Sequence, residues 1–376
     1  MRTLSLFLGA ALVAVFPLSV RAAGAPDVTV RPFGVCDEGP VNIFTLTNAH
    51  GIRVRVMEFG ATIVGIETPD RNGRMADIVL GFNDAQSYAK TKLTFGTAGR
   101  VIARIAKARF TLDGKTYQLT PNSGPNLLHG GAHGFARHLW KGEIVSTDPP
   151  AVRLSRVSPD GEEGFPGTLR ATATFSLQKD DRLVVHYSAA TDKPTVVNLA
   201  GHTRFNLLGE GHGTILHDIL TIRADAYLPL DETQVPTGEI RSVSGTPLDF
   251  RQPTRIDARF AQLPNKPPGF DNNFVVTPGP WQLEVCDPES GRVLQLKTSQ
   301  PGIQVDTGNV FDGTLVGKSG LPYPRYGAFS CETQHYPDSP NHPNFPSVTL
   351  RPGETYSATT EYRFSTRPSI DKPAGQ

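Results

Sequence analysis

The chain has little of several things, and each scarcity excludes something. Three cysteines in 376 residues, Cys36, Cys286 and Cys331, form no CxxC or Cys/His spacing, so a structural zinc site is not expected. Their odd number permits one disulfide at most, and spacing does not say which pair would form it. Net charge is +1, from 37 basic and 36 acidic residues, with no basic patch, so nucleic acid is not an expected partner. Helical periodicity is almost missing; only Asp84–Ala89 and Ile256–Gln262 suggest single turns. There is no internal repeat and no low-complexity linker. The GxSxG elbow of a serine esterase is absent. Gly313–Ser319, GTLVGKS, has three residues between its glycines where a phosphate loop needs four.

Long apolar runs are also scarce, with one exception. Leu4–Val20 follows Arg2 and leads to Ala-Gly-Ala at 23–25, with Val20-Arg21-Ala22 as the alternative cleavage site. Residues 1–25 are therefore expected to be a secretory signal peptide, and 26–376 a single exported domain with no membrane span of its own.

Glycine and proline, at 37 and 32, are abundant and point to many strands joined by turns. Short β-branched runs at Val41–Thr47, Ile52–Phe59 and Thr62–Glu67 read as a meander. Asp113-Gly114 inside the alternating stretch 109–120 predicts a tight hairpin. Val152–Val157, Thr168–Leu177, Leu183–Ala190 and Asp218–Ala224 continue the pattern. Further strands are expected at Trp281–Cys286, Val293–Ser299, Gly302–Thr307, Ser347–Leu350 and Tyr356–Phe364. The fold class is all-β, a large antiparallel β-sandwich.

Polar residues cluster at a few junctions. In Gly327–Pro346, Glu332 ends a short apolar run and precedes a proline-rich loop. Such a carboxylate can serve as a general base, although the stretch alone reads as a surface loop with an ordinary exposed Glu. Cys331 should alternate to the opposite face and join the core. His129 precedes two glycines that let the backbone approach a ligand. His202 lies in the otherwise apolar VVNLAGHTRFNL, where a lone His is more often a core residue than a catalyst. Asp271, in GFDNNF, reads by default as a turn residue. Arg100 and Arg104 could both be aimed at a pocket.

These stretches, taken in order, resemble the aldose 1-epimerase (galactose mutarotase) family. The resemblance runs through GRVIARIAKARFTLDGKTYQL at 99–119, GPNLLHGGAHGF at 124–135 and SPDGEEGFPG at 158–167. It continues with VVNLAGHTRFNLLG, VPTGEI, PLDF, GFDNNFVV and SGRVLQLKTSQPGIQVDTGN, then DGTLVGKSG and the Glu332 stretch. It covers nearly everything after residue 35. It implies a β-supersandwich with a sugar cleft, Glu332 as general base and His202 as general acid. It also implies that Arg104, His129, Asp271 and Gln304 bind or orient the sugar; Gln304 comes from the resemblance alone. The chain departs from the family pattern at Ala103, Gly201, Arg204, Asn272, Val305 and Asp306, which the resemblance places at the rim.

The implied reaction interconverts the anomers of a free hexose such as glucose or galactose by ring opening and reclosure. It needs one acid and one base and no metal, nucleotide or other cofactor. Ordinary values of about 4.3 for Glu and 6.5 for His would let Glu⁻ and HisH⁺ coexist between them. A carboxylate at Asp271 would widen that interval if it lay beside His202. Phe274, Trp140 and Tyr336 could face the sugar but by default are packing residues. The expected partner is a small free aldose, and the protein a monomer or homodimer. Three other readings remain open at this level. One is a non-catalytic sugar-binding or sensing protein on the same fold. Another is a glycoside hydrolase pairing Asp271 with Glu332. The third is an epimerase of phosphorylated hexoses.

Overall fold

The computed structural model describes residues 26–368. The leader expected at 1–25 lies outside the described residues.

Alternation builds the architecture. Leu169–Leu177 buries every second side chain, as does its antiparallel neighbour Arg182–Thr191. Strands with this pattern have one apolar face and must stack on another layer. They belong to a nine-stranded sheet that runs from Lys141–Thr147 to Thr254–Arg255, with Tyr356–Thr366 and Arg292–Thr298 at its centre. A five-stranded meander, Asp27–Cys36 through Met75–Asp77, and a six-stranded sheet complete the sandwich. All strand pairings in these three sheets are antiparallel. One core unites them: Leu46 and Val56 from the meander, Leu154 and Val185 from the large sheet, and Ile303 and Phe329 from the six-stranded sheet.

The hairpin forms as expected. Arg109–Leu112 pairs with Lys115–Gln118, and Asp113 and Gly114 both take positive φ, 50° and 76°. That is the conformation a two-residue turn needs to match strand twist. Asp84 caps the short helix Ala85–Lys90 by accepting from the Ser87 N–H. Residues Ile256–Gln262 form a 3-10 helix. Trp140, Phe274 and Tyr336 are packing residues.

Three expectations are corrected. The GFDNNF stretch is not a turn: Asp271–Val276 is a strand in the six-stranded sheet, because Phe274 is needed in the core. Glu332 is not exposed: it lies inside Phe329–Gln334, a strand buried on both faces. Arg100 is not aimed at a pocket. Its guanidinium is buried and donates to Ser158 Oγ and to the carbonyls of Ser158, Pro159, Pro166 and Gly167. It ties loop to loop. Cys331 faces the core as expected, and all three cysteines are free thiols.

Candidate active site

The six-stranded sheet has two faces with opposite chemistry. Ile303, Val305, Phe329 and Cys331 point into the core. By alternation, Gln304, Asp306, Ser330 and Glu332 point the other way. Register sets them in rows. Gln304 pairs with Glu332 and with Asn273, and Asp306 pairs with Ser330 and with Asp271. Arg204, on the adjoining strand, also pairs with Ser330. Carboxylates from distant parts of the chain therefore share one small patch.

Loops close the patch into a cleft. The first holds His129 at φ 53°, followed by Gly130 at 85° and Gly131 at 107°. A Cβ on Gly130 would stand 1.8 Å from the Gly99 carbonyl oxygen, so only glycine fits. His129 is fixed twice by Ala103: its N–H donates to the Ala103 carbonyl at 3.0 Å, and its Nδ1 accepts from the Ala103 N–H at 3.3 Å. That acceptance leaves the proton on Nε2. The His202 N–H donates to the Gly96 carbonyl, which brings its ring against His129 with centroids 5.0 Å apart.

The cavity so formed is about 170 Å³ and is lined by Arg104, His129, His202, Asp271, Gln304 and Glu332, with Arg204, Asp306 and Lys92. All six residues singled out in the sequence thus come together in one place. A wider groove of about 670 Å³ shares Lys92, Leu128 and His129 with it and opens toward His133 and His138. Within the cleft, Glu332 Oε1 lies 3.3 Å from His202 Nε2 and accepts from Ser330 Oγ at 3.0 Å. Gln304 Nε2 donates to Asp271 Oδ1 at 2.7 Å. Arg104 Nη2 donates to Gln234 Oε1. Several buried polar atoms have no partner among the described residues: Arg104 Nε, Arg204 Nε, His202 Nδ1 and Gln304 Oε1. Buried polar groups are normally satisfied, so this concentration suits a ligand rich in hydroxyls.

Burial reverses the expected order of acidities. It pushes Glu332 up to about 8, helped by the Asp271 and Asp306 carboxylates. It pushes His202 well below its usual range, helped by the Arg204 cation and His129. Glu332 is therefore the protonated partner in the free protein and His202 the neutral one, contrary to the Glu⁻/HisH⁺ interval expected from ordinary values. Asp271 does not shore up a charged His202; it rises to about 6 through burial and the nearby Asp306, and its oxygen is engaged by Gln304. His129 falls to about 3, first through burial and then through Arg104 and Arg204, and is a neutral donor.

Ser330, Gln234 and Lys92 were missed by the sequence reading. Ser330 was reachable, since it stands two residues from Glu332 on an extended segment. Gln234 and Lys92 come from loops and carry no local signal. Arg204 and Asp306, placed at the rim by the resemblance, are instead buried and bonded to each other.

A β-sandwich whose polar sheet face carries a buried Glu–His pair within a cleft of polar side chains has the groups that acid–base chemistry on a hydroxyl-rich ligand needs. The family profile described as "Aldose 1-epimerase" matches residues 42–363, and the chain belongs to that family. It is similar to the galactose mutarotase of Bos taurus, 46% identical over 332 residues, covering 87% of this chain and 95% of that one. The aldose 1-epimerase of Escherichia coli K12 is 37% identical over 337 residues, covering 87% and 96%. A solved aldose epimerase homologue from C. elegans superposes with a TM-score of 0.79 at 30% identity, covering 92% of this chain and all of its own. The galactose 1-epimerase of Lactobacillus acidophilus gives 0.80 at 26% identity, with the same coverage. The protein is an isomerase of the mutarotase class.

Proposed function

We propose that the protein interconverts the α and β anomers of a free aldose in this cleft, with Glu332 as base and His202 as acid. The observation that carries the reading is the 3.3 Å contact between Glu332 Oε1 and His202 Nε2, buried among unpartnered sugar-type donors and acceptors. The pair holds one proton at neutral pH. In the free protein it rests on Glu332; moved to His202 Nε2, it leaves a carboxylate and an imidazolium side by side. The carboxylate takes the proton of the C1 hydroxyl as the C1–O5 bond breaks. The imidazolium gives its proton to O5. The product is the open-chain aldehyde with a free C5 hydroxyl. Rotation about C1–C2 presents the other carbonyl face, O5 attacks it, and the two protons return. Neutral His129 and the Arg104 and Gln304 side chains supply donors to hydroxyls and to charge developing at O5.

The test is optical rotation of freshly dissolved α-D-glucose and α-D-galactose with and without protein. Equilibration above the spontaneous rate supports the reading. Sugar binding without acceleration would favour the non-catalytic alternative. We also infer, from residues 1–25, that the protein works outside the cytoplasm. Cell fractionation that finds it in the cytosol would refute this.

A further inference from the structure

Arg204 is held in an unusual way for a wall residue. Its side chain is 4% exposed. Its guanidinium carbon lies 5.2 Å from the centre of the Phe311 ring and 5.9 Å from that of Phe95, so aromatic rings fix its attitude. Nη1 donates to Asp306 Oδ2 at 3.0 Å, its one hydrogen bond among the described residues. Asp306 is itself anchored, because its Oδ1 accepts from the Gly308 N–H at 2.8 Å. Nε is buried with no partner among the described residues. A guanidinium offers five N–H donors in a rigid plane. Here one is spent, and the Nε/Nη2 edge is unspent. That edge matches a carboxylate through two parallel hydrogen bonds.

The charge around it agrees. Lys92, Arg104 and Arg204 line the cleft against Asp271, Asp306 and Glu332. Glu332, pushed up to about 8, is protonated at neutral pH, so the cations are in excess. Position agrees too. Arg204 follows His202 by two residues, and both line the cleft. In a pyranose the exocyclic C6 is attached to C5, the neighbour of the ring oxygen that His202 would protonate. A substituent at C6 is thus the part of the sugar that reaches past His202.

We propose that the cleft selects aldoses carrying a C6 carboxylate, the hexuronic acids, with Arg204 as the carboxylate receptor and Asp306 as its positioning residue. This rests on the mutarotase reading and names its substrate class. The chemistry at C1 and O5 is unchanged, and the carboxylate stays intact throughout.

The experiment is exchange NMR between the anomeric protons of equilibrated D-galacturonate, D-glucuronate, D-galactose and D-glucose 6-phosphate at pH 7, with binding followed by calorimetry. The wild type is expected to show a kcat/KM for one hexuronate at least tenfold above that for galactose. The double variant Arg204→Gln/Asp306→Asn, which removes both charges together so that neither is left buried without its partner, is expected to lower the hexuronate-to-galactose ratio at least tenfold. Arg204→Lys, which keeps the charge without the fork, is expected to recover only part of it. A smaller wild-type preference, or a ratio that the double variant leaves unchanged, overturns the inference. So does a faster rate on glucose 6-phosphate, which would move the anion from carboxylate to phosphate. Acceleration of galactose alone overturns this inference and leaves the mutarotase reading standing. No acceleration of any sugar overturns both.

Discussion

Replacing Glu332 by Gln separates the chemistry of the site from its energetic cost. Gln keeps the volume of Glu332 and can still accept from Ser330 Oγ, 3.0 Å away in the wild type. It cannot take a proton from a sugar hydroxyl. Loss of a positioned base costs about 10²–10⁴ in rate, or about 3–5 kcal/mol of barrier. Stability should move the other way. The Glu332 pKa is raised on folding, from 4.5 to about 8. A raised pKa means that stability is fully present below the unfolded value and is lost as pH rises toward the folded one. Between pH 4.5 and pH 7 that loss is about 3 kcal/mol, at 1.36 kcal/mol per unit. Gln carries no such loss. Urea denaturation of both proteins at the two pH values should show the variant gaining about 3 kcal/mol on the wild type at pH 7 relative to pH 4.5. Mutarotation within tenfold of wild type would refute the role of Glu332 as base. An unchanged stability difference between the two pH values would refute its burial as an uncharged acid.

The pH profile of kcat/KM should fall above about 8, where Glu332 loses the proton that the pair needs. Its acid limb should lie below the ordinary histidine range, because burial holds His202 down; an acid limb near 6.5 would refute this order. Gly130→Ala should cost about 2 kcal/mol or more and lower kcat/KM, since the new Cβ collides with the Gly99 carbonyl and displaces His129. A variant with wild-type melting and rate would show that the loop yields freely. Arg100→Met should destabilise by about 3 kcal/mol or more, leaving several carbonyls unsatisfied, while the pH profile of the surviving protein stays put. Asp218 is buried with Oδ2 unpartnered and its pKa raised by burial and Asp287. Asp218→Asn should therefore stabilise the protein at pH 7 and much less at pH 3, read by thermal melts at each pH.

Local rules carried the sequence reading wherever a local cause decides structure. Asp113-Gly114 specified its own turn, and alternation put Cys331 and Glu332 on opposite faces. The reading failed where distant neighbours decide. Asp271, Asn272 and Asn273 are poor strand formers by propensity, yet pairing with Gly302–Asp306 and burial of Phe274 override that. Glu332 seemed exposed because what covers it comes from residues far away in the chain. The six residues of the cleft were legible as candidates, five from their local chemistry and Gln304 from family likeness. Their mutual distances were not, and neither was the inverted protonation of the Glu–His pair, which burial and the charges that folding gathers around the pair produce. The Arg204–Asp306 bond was invisible for the same reason: 102 positions separate its partners.

The rows of the six-stranded sheet draw Arg204, Asp271, Asp306 and Glu332 from segments that meet only when non-adjacent stretches of chain have docked. Catalytic competence is then a readout of sheet closure. During refolding it should appear last and in one step, after the hairpin and the meander have formed from nearby residues. A circularly permuted chain that keeps those rows would keep its turnover. A fragment ending before the Phe329–Gln334 strand would have most of the sandwich's residues and lack the proposed base, Glu332, and is expected to show no turnover.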